Sequence, residues 1–216
     1  MMDIPVTPAE KERQWQRMAE RYAQITDKLG KGIDAGIMET VIVLNLLGMP
    51  TRQSCEGHLE HGTCAPWIDV YAPGLDEEEQ RFHAMMKHAQ QQREQHLSSK
   101  EELQRLFAAA HQVRKEIKQQ HSKVSQKAMA YLEAFYRTRA VPYDQQLVLR
   151  GFWLGSSRIE SLGADFQEIV PLDLRQQKLQ AYQQEMSAFT DFLKACWLAG
   201  TGPDDSTVPE QAGSDG

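Results

Sequence analysis

The chain is poor in cysteine, in long apolar runs and in recognisable targeting segments. It has three cysteines among 216 residues, a small and odd number that does not make a disulfide framework. Nowhere do eighteen consecutive apolar residues occur, which excludes an ordinary transmembrane helix. The first fifteen residues carry neither an apolar signal core nor a basic amphipathic presequence. These absences predict an intracellular protein, most simply a cytoplasmic one, without a membrane partner.

The chain also lacks a strong excess of charge. Its formal charge is −6, but residues 204–216 supply −4 of this through Asp204, Asp205, Glu210 and Asp215. The remainder is near −2 and gives no global attraction towards nucleic acid or anionic membrane. Residues 201–216 are mostly glycine, proline, serine and acid, so we expect a disordered acidic tail there. Neither a glycine-rich dinucleotide fingerprint nor a phosphate loop is present.

Apolar spacing predicts three helices outside the middle of the chain. The sequence TPAE at 7–10 resembles a capping box, and apolar residues at three- and four-residue steps predict a helix from there to about residue 28. Residues 34–47 are apolar nearly all round, which is typical of a buried helix, and Asp34 is placed to cap it. A final amphipathic helix is predicted over 172–197.

Strand signals occur at 67–71, 146–154 and 157–162, where β-branched and aromatic residues recur and the last two segments are joined through Gly-Ser. They predict a small, mostly antiparallel sheet. The helices at 34–47 and 172–197 would cover it, so the expected fold class is α+β.

The middle of the chain, residues 75–139, contains no glycine or proline. Ser99 opens a capping box, which predicts two helices, at about 76–97 and 100–138, in an inserted long helical hairpin. The predicted domains are therefore a core from 1–74 and 140–200, the inserted hairpin at 75–139, and the tail at 201–216.

The second hairpin helix suggests two kinds of partner. Residues 100–139 carry nine lysines and arginines against four acids, a net charge that can bind RNA or DNA phosphates and that also suits a solvated helix face. Apolar residues at three-four spacing form a coiled-coil-like seam. A homodimer or another protein partner through residues 75–139 is therefore an alternative.

Chemistry concentrates in residues 51–71, TRQSCEGHLEHGTCAPWIDVY. Four residues there follow a C-x2-H-x2-H-x2-C spacing: Cys55, His58, His61 and Cys64. Thiolate and imidazole are ligands that suit zinc or iron. One interpretation is a metal-stabilised binding module that uses these four residues, or a subset completed by Glu56 or Glu60.

A second interpretation keeps only the sequence SCEGH at 54–58. Cys55 would be a thiolate nucleophile or ligand contact, His58 its acid/base partner and Glu56 a second carboxylate. Gly57 would let the backbone turn tightly beside the cysteine. In a third interpretation Cys55 is a small buried hydrophobe in a structural turn, and the hairpin is the working surface.

Two stretches resemble a known family. The sequence G-I-D-x-x-I at 32–37, in a helix through Asn45, precedes T-x-x-S-C-x-G-H at 51–58. This order is similar to the opening motif of the wybutosine-synthesis tRNA methyltransferase family, a G-x-D-x-x-I helix followed by T-[ST]-S-C-S-G-R. The T-x-x-S-C-x-G-H form also resembles a motif of short uncharacterised bacterial and phage proteins.

The resemblance covers residues 32–58, about an eighth of the chain. It implies a helix, a cysteine-containing loop and a strand, and a small-molecule ligand that is nucleotide-like or S-adenosylmethionine. The expected ligand-binding residues are Asp34, Thr51, Ser54 and Gly57. The family has serine, serine and arginine where this chain has Gln53, Glu56 and His58.

Overall fold

The computed structural model of the chain describes residues 7–203, apart from the side chains of residues 152, 153 and 166–168. Pairs of helices alternate with pairs of strands along it, and a last helix ends the described chain, as in an α+β fold. In order they are α1 (Pro8–Ala23), α2 (Ala35–Leu46), β1 (Thr51–Cys55), β2 (Trp67–Tyr71), α3 (Asp76–Glu94), α4 (Lys100–Tyr136), β3 (Leu147–Trp153), β4 (Ser156–Ser161) and α5 (Leu172–Ala199). Short 3-10 helices lie at Tyr143–Gln145 and Leu162–Ile169. The predicted fold class is confirmed.

The four strands form one sheet in the order β1-β2-β4-β3, with every neighbouring pair antiparallel. One face of the sheet is apolar and completely covered, since Ile68, Val70 and Ile159 are 0% exposed. The other face is mixed: Trp67 and Tyr71 share it with Asp69, whose carboxylate accepts two hydrogen bonds from the Arg158 guanidinium, at 2.7 and 3.0 Å. The alternation of side chains along the strands produces this division.

The main core lies between the apolar sheet face, α2, α5 and the C-terminal part of α4. Leu44 of α2, Phe189 and Leu193 of α5 and Phe135 of α4 belong to it. Each fully buried side chain of this size contributes roughly 1.5–3 kcal/mol of transfer free energy. Because α2 is apolar nearly all round, it is packed on several sides, and the Gly36–Glu56 hydrogen bond joins its N-terminus to the residue that follows β1.

The predicted helical hairpin is present as α3 and α4. The capping box that begins α4 is complete: Ser99 Oγ accepts from the Glu102 backbone N–H at 3.2 Å, and the Ser99 N–H donates to Glu102 Oε2 at 2.8 Å. Val113 and Ile117 of α4 form a small cluster under α3, whereas residues 128–135 of α4 join the main core. The division into core and hairpin domains stays a prediction, with α4 spanning both parts.

Helix α1 ends earlier than the predicted residue 28. Asp27 explains this, because its Oδ1 accepts hydrogen bonds from the backbone N–H groups of Leu29 (2.8 Å) and Lys31 (2.9 Å). Its own N–H donates to the Lys31 carbonyl at 2.8 Å. Aspartate thus stabilises a tight turn in competition with the helix.

The capping box predicted at the start of α1 is only half formed. Thr7 Oγ1 accepts from the Glu10 N–H at 3.2 Å. The Glu10 carboxylate does not return the bond to the Thr7 backbone, because it pairs with Arg13 at 2.7 Å and with Arg17 at 2.9 Å. Competition from these two guanidinium groups explains the difference.

Three further observations complete the fold. Residues 51–55, expected to be loop, form β1 and pair with β2, with Cys55 opposite Trp67. The disorder predicted for the tail concerns mainly residues 204–216, which lie outside the described residues. None of the helices within residues 7–203 combines the length and the apolar character needed to cross a membrane.

Candidate functional site

Three side chains meet where the N-terminus of α2 approaches the end of β1. Asp34 precedes α2, Cys55 is the last residue of β1, and His58 lies three residues further on. A carboxylate oxygen, the sulfur and an imidazole nitrogen from these residues all lie within 4.8 Å of one another. No other set of three histidine, cysteine or acidic side chains in the described part of the chain is this close.

Asp34 occupies the N-cap position of α2, but its side chain makes no capping hydrogen bond, so the predicted cap is wrong. Its Oδ2 instead accepts from the Glu56 N–H at 3.1 Å and lies 3.4 Å from His58 Nε2. Glu56 binds the N-terminus of α2 in its place, because its Oε2 accepts from the Gly36 N–H at 2.7 Å. The positive end of the helix dipole favours a carboxylate there, and this exchange leaves Asp34 facing the cysteine loop.

The turn after Cys55 depends on Gly57, whose φ is +84°. A Cβ at this position would lie 2.7 Å from the carbonyl carbon of Ala65 and 2.9 Å from the Pro66 nitrogen. The Gly57 N–H donates to Cys55 Sγ at 3.4 Å, and Gln183 of α5 donates to the Glu56 carbonyl at 3.0 Å. The backbone around the sulfur is therefore fixed from both sides.

His58 is held by its backbone and by its ring. Its N–H donates to the Thr63 carbonyl at 3.0 Å, which closes a short loop. The His58 and His61 rings are stacked, with centroids 4.3 Å apart and planes 14° apart. Asp34, Cys55 and His58 are all half-buried, so the site is in contact with solvent.

The local electrostatics oppose a free thiolate. Burial raises the pKa of the Cys55 thiol, and the charges of Asp34 and Glu56 raise it further, against the hydrogen bond from Gly57. A carboxylate beside a thiol disfavours a second negative charge. Without a cation, Cys55 is therefore protonated at neutral pH and is a poor nucleophile.

The other expected site residues are not members of this three-residue group. His61 and Cys64 are not members of the three-residue cluster. Thr51 begins β1, four residues before Cys55 and beyond a strand irregularity at 51–53, and its hydroxyl accepts from Asn45 Nδ2 at 2.8 Å. Ser54 points to the opposite sheet face from Cys55, because successive side chains in a strand alternate.

Pairing of Asp34 with Cys55 and His58 as a ligand group was missed at the sequence level. The resemblance over residues 32–58 predicts Asp34 as a ligand-binding residue but does not pair it with Cys55 and His58 as a metal ligand. A carboxylate oxygen is a common third ligand beside a thiolate and an imidazole. This residue chemistry is the feature of the sequence that could have identified Asp34 as a metal ligand. Asp34 lies 21 positions before Cys55, so local spacing in the sequence does not show that the two side chains meet.

No protein-family model, no curated protein and no solved structure matches the chain. The resemblance over residues 32–58 stays a prediction, and the chemistry of the site follows from its own geometry.

Proposed function

We propose that this protein binds one divalent transition-metal ion through Asp34, Cys55 and His58, and that the ion keeps a coordination position for a small ligand. The observation that supports this most strongly is the convergence of an oxygen, a sulfur and a nitrogen within 4.8 Å. Ligand atoms around tetrahedral zinc lie about 3.3–3.8 Å apart. The 3.4 Å between His58 Nε2 and Asp34 Oδ2 is already in this range, and side-chain shifts of about 1 Å bring the sulfur in.

Charge supports a cation at this position. Asp34 and Cys55 become two neighbouring anions once the thiol loses its proton, and without a cation that state is unfavourable, as the raised thiol pKa indicates. A divalent ion removes the conflict, because coordination deprotonates a thiol outright. The same aspartate that impairs a free nucleophile thus completes a metal site.

The donor set favours zinc, with ferrous iron as the alternative. One thiolate, one imidazole and one carboxylate form a mixed set that suits a borderline-soft ion. Structural zinc sites usually have four protein ligands, whereas catalytic sites have three and leave one position for water or substrate. Three ligands and partial exposure to solvent therefore favour an open site.

The surrounding residues position the ligands. Glu56 donates its N–H to Asp34 Oδ2 and uses its carboxylate at the start of α2. In this proposal Glu56 orients Asp34, whereas the sequence predicted it as a second carboxylate of the catalytic pocket. Stacking on His61 restricts the His58 ring. Support of this kind for a metal ligand commonly changes affinity by about 10–100-fold.

Cysteine-dependent catalysis without metal receives less support from the geometry. It requires a thiolate near neutral pH, and both burial and Asp34 act against one at Cys55. His58 lies close enough to act as a base, but its Nε2 faces the Asp34 carboxylate at 3.4 Å.

Elemental analysis of protein purified without a histidine tag tests the proposal. We expect one zinc or iron per chain in the wild type, and loss of the metal in Asp34→Asn, Cys55→Ser and His58→Gln. Cys64→Ser, the matched control, should keep it, and His61→Gln should also keep it but with an affinity reduced by about 10–100-fold, because the His58 ring loses its stacking partner. Circular dichroism spectra of all five variants verify that they are folded.

Two outcomes would oppose the three-ligand site. Metal loss in Cys64→Ser as well would support the four-residue cluster of Cys55, His58, His61 and Cys64. Absence of metal after refolding with zinc or ferrous iron would refute metal binding altogether.

The ligand of the open position can be sought with the loaded protein. The resemblance over residues 32–58 suggests nucleotides and S-adenosylmethionine as the first compounds to add. A ligand present at about 100 times its Kd raises the unfolding free energy by about 2.7 kcal/mol, which thermal melting detects. A shift that disappears in Cys55→Ser would place the ligand at this site.

A further inference from the structure

An exposed face of α4 carries a concentration of positive charge. His111, Arg114, Lys115 and Lys118 are exposed and line a shallow surface groove of about 500 Å³ together with Gln119 and Ser122. We refer to these six residues as the basic stripe. Their spacing of three and four positions places them on one side of the helix.

The stripe differs from the other cationic parts of the protein. Arg139 pairs with Glu185 at 2.7 Å, and Arg158 pairs with Asp69 at 2.7 Å. Within the described residues, Arg114, Lys115 and Lys118 form no ion pair. Six lysines and arginines stand against one glutamate between residues 105 and 127, so this part of α4 is locally basic in an acidic chain.

We propose that the basic stripe binds the phosphate backbone of a nucleic acid. From residue 111 to residue 122 it extends about 16 Å at 1.5 Å per residue. One strand of a duplex presents about five phosphates over that length, at about 3.4 Å per phosphate. Three cations, a histidine, an amide and a hydroxyl are the side-chain types that contact phosphate oxygens.

The shape of α4 favours a nucleic acid over a membrane surface. A helix that binds at a membrane interface needs a free apolar face beside its basic one. In α4 the apolar face is already occupied, because Val113 and Ile117 are 6% and 0% exposed beneath α3. Between residues 111 and 122 the exposed side of α4 offers charged and polar groups without apolar anchors, which matches a phosphate backbone.

The experiment measures binding of fluorescein-labelled RNA and duplex DNA, each of about 20 nucleotides per strand, by fluorescence anisotropy. If all three cations release counterions, wild-type binding to the duplex weakens about 40-fold between about 50 and 200 mM salt. Arg114→Gln/Lys115→Gln/Lys118→Gln should bind at least about tenfold more weakly at the lower salt and lose most of this salt dependence.

The matched control is Arg21→Gln/Lys28→Gln/Lys31→Gln, which removes three exposed cations from another part of the chain. It should retain wild-type binding. The stripe variant should melt at the wild-type temperature, since all three positions are exposed; if it does not, Lys115→Gln and Lys118→Gln are tested singly and should each weaken binding.

Three results would overturn the proposal. The first is no wild-type binding to either nucleic acid at the lower salt. The second is an equal loss in the stripe variant and in the control, which would indicate nonspecific attraction by net charge. The third is tighter binding to phosphatidylserine vesicles than to RNA or DNA, which would make a membrane the partner. Because the stripe lies on α4, the test is independent of the metal site.

Discussion

Replacement of Gly57 by alanine should destabilise the protein far more than the same change at Gly62. Both glycines lie in the connection between β1 and β2 and both have positive φ, +84° and +70°. They differ in their surroundings. A Cβ at Gly57 would lie 2.7–2.9 Å from Ala65, Leu179 and Pro66, whereas a Cβ at Gly62 would meet nothing within 4 Å.

The two effects can be separated in magnitude. A left-handed conformation costs an alanine roughly 1–2 kcal/mol, and both variants incur this cost. Overpacking in a tight site typically costs a further 1–3 kcal/mol, and it applies only at Gly57, where two of the three nearest atoms belong to the backbone. We therefore expect losses of about 2–5 kcal/mol for Gly57→Ala and about 1–2 kcal/mol for Gly62→Ala.

Urea denaturation followed by circular dichroism, with a chelator present to remove metal effects, measures both free energies of unfolding. With an m-value of about 2 kcal/mol/M, Gly57→Ala should lower the urea midpoint by about 1–2.5 M. Equal losses at Gly57 and Gly62 would refute the close approach of residue 57 to Ala65. That result would also remove the explanation of how the backbone fixes Cys55.

Three more predictions concern buried or paired charges. Arg139→Met should lower the unfolding free energy by about 3–5 kcal/mol in urea denaturation, since the Glu185 carboxylate, 2% exposed, loses its cation. Burial lowers the pKa of His121 below the ordinary value of 6.5, so the folded state binds this proton less readily than the unfolded chain. The stability that depends on neutral His121 is present above pH 6.5 and is lost as pH falls through the lower pKa of the folded state. The urea midpoint of the wild type should therefore fall between about pH 7 and pH 5, and this fall should be smaller in His121→Gln. Asp34→Asn removes a charge that raises the Cys55 pKa, so alkylation of the metal-free thiol should reach half its maximal rate at a lower pH.

Each of these predictions has a control. Arg13→Met breaks an exposed ion pair and should lower the unfolding free energy by less than about 1 kcal/mol. If Arg139→Met lowered it by no more than Arg13→Met, the buried-charge argument would be contradicted. His111→Gln, on the exposed side of the same helix, should show the same pH dependence of the urea midpoint as the wild type. Peptide mapping by mass spectrometry separates the alkylation of Cys55 from that of Cys64, whose rate should not respond to Asp34→Asn.

Local signals in the sequence were sufficient for several elements. The predominantly apolar character of residues 35–46 predicts a buried helix from the segment itself, whatever its packing partners are. The capping box at Ser99 and the β-branched and aromatic residues of 67–71 depend on neighbours within a few positions, so they could be read directly. The structure has β2 at the predicted bounds and α4 beginning at Lys100.

Elements that depend on distant partners could not be predicted in this way. Residues 51–55, TRQSC, have little apolar alternation, and they form a strand because β2 provides its hydrogen-bonding partner. Asp34 reaches the site because Glu56, which follows β1, occupies the N-terminus of α2. The C-x2-H-x2-H-x2-C spacing indicated the right segment, but spacing alone does not show which side chains face one another.

X-ray absorption at the zinc edge of the zinc-loaded protein tests the central claim most directly, because it counts the sulfur atoms bound to the metal. A site made of Asp34, Cys55 and His58 predicts one sulfur at about 2.3 Å and otherwise nitrogen or oxygen at about 2.0–2.2 Å. Two sulfurs would mean that Cys64 is also a ligand, and no sulfur would mean that Cys55 is not. Either result would contradict the three-ligand site.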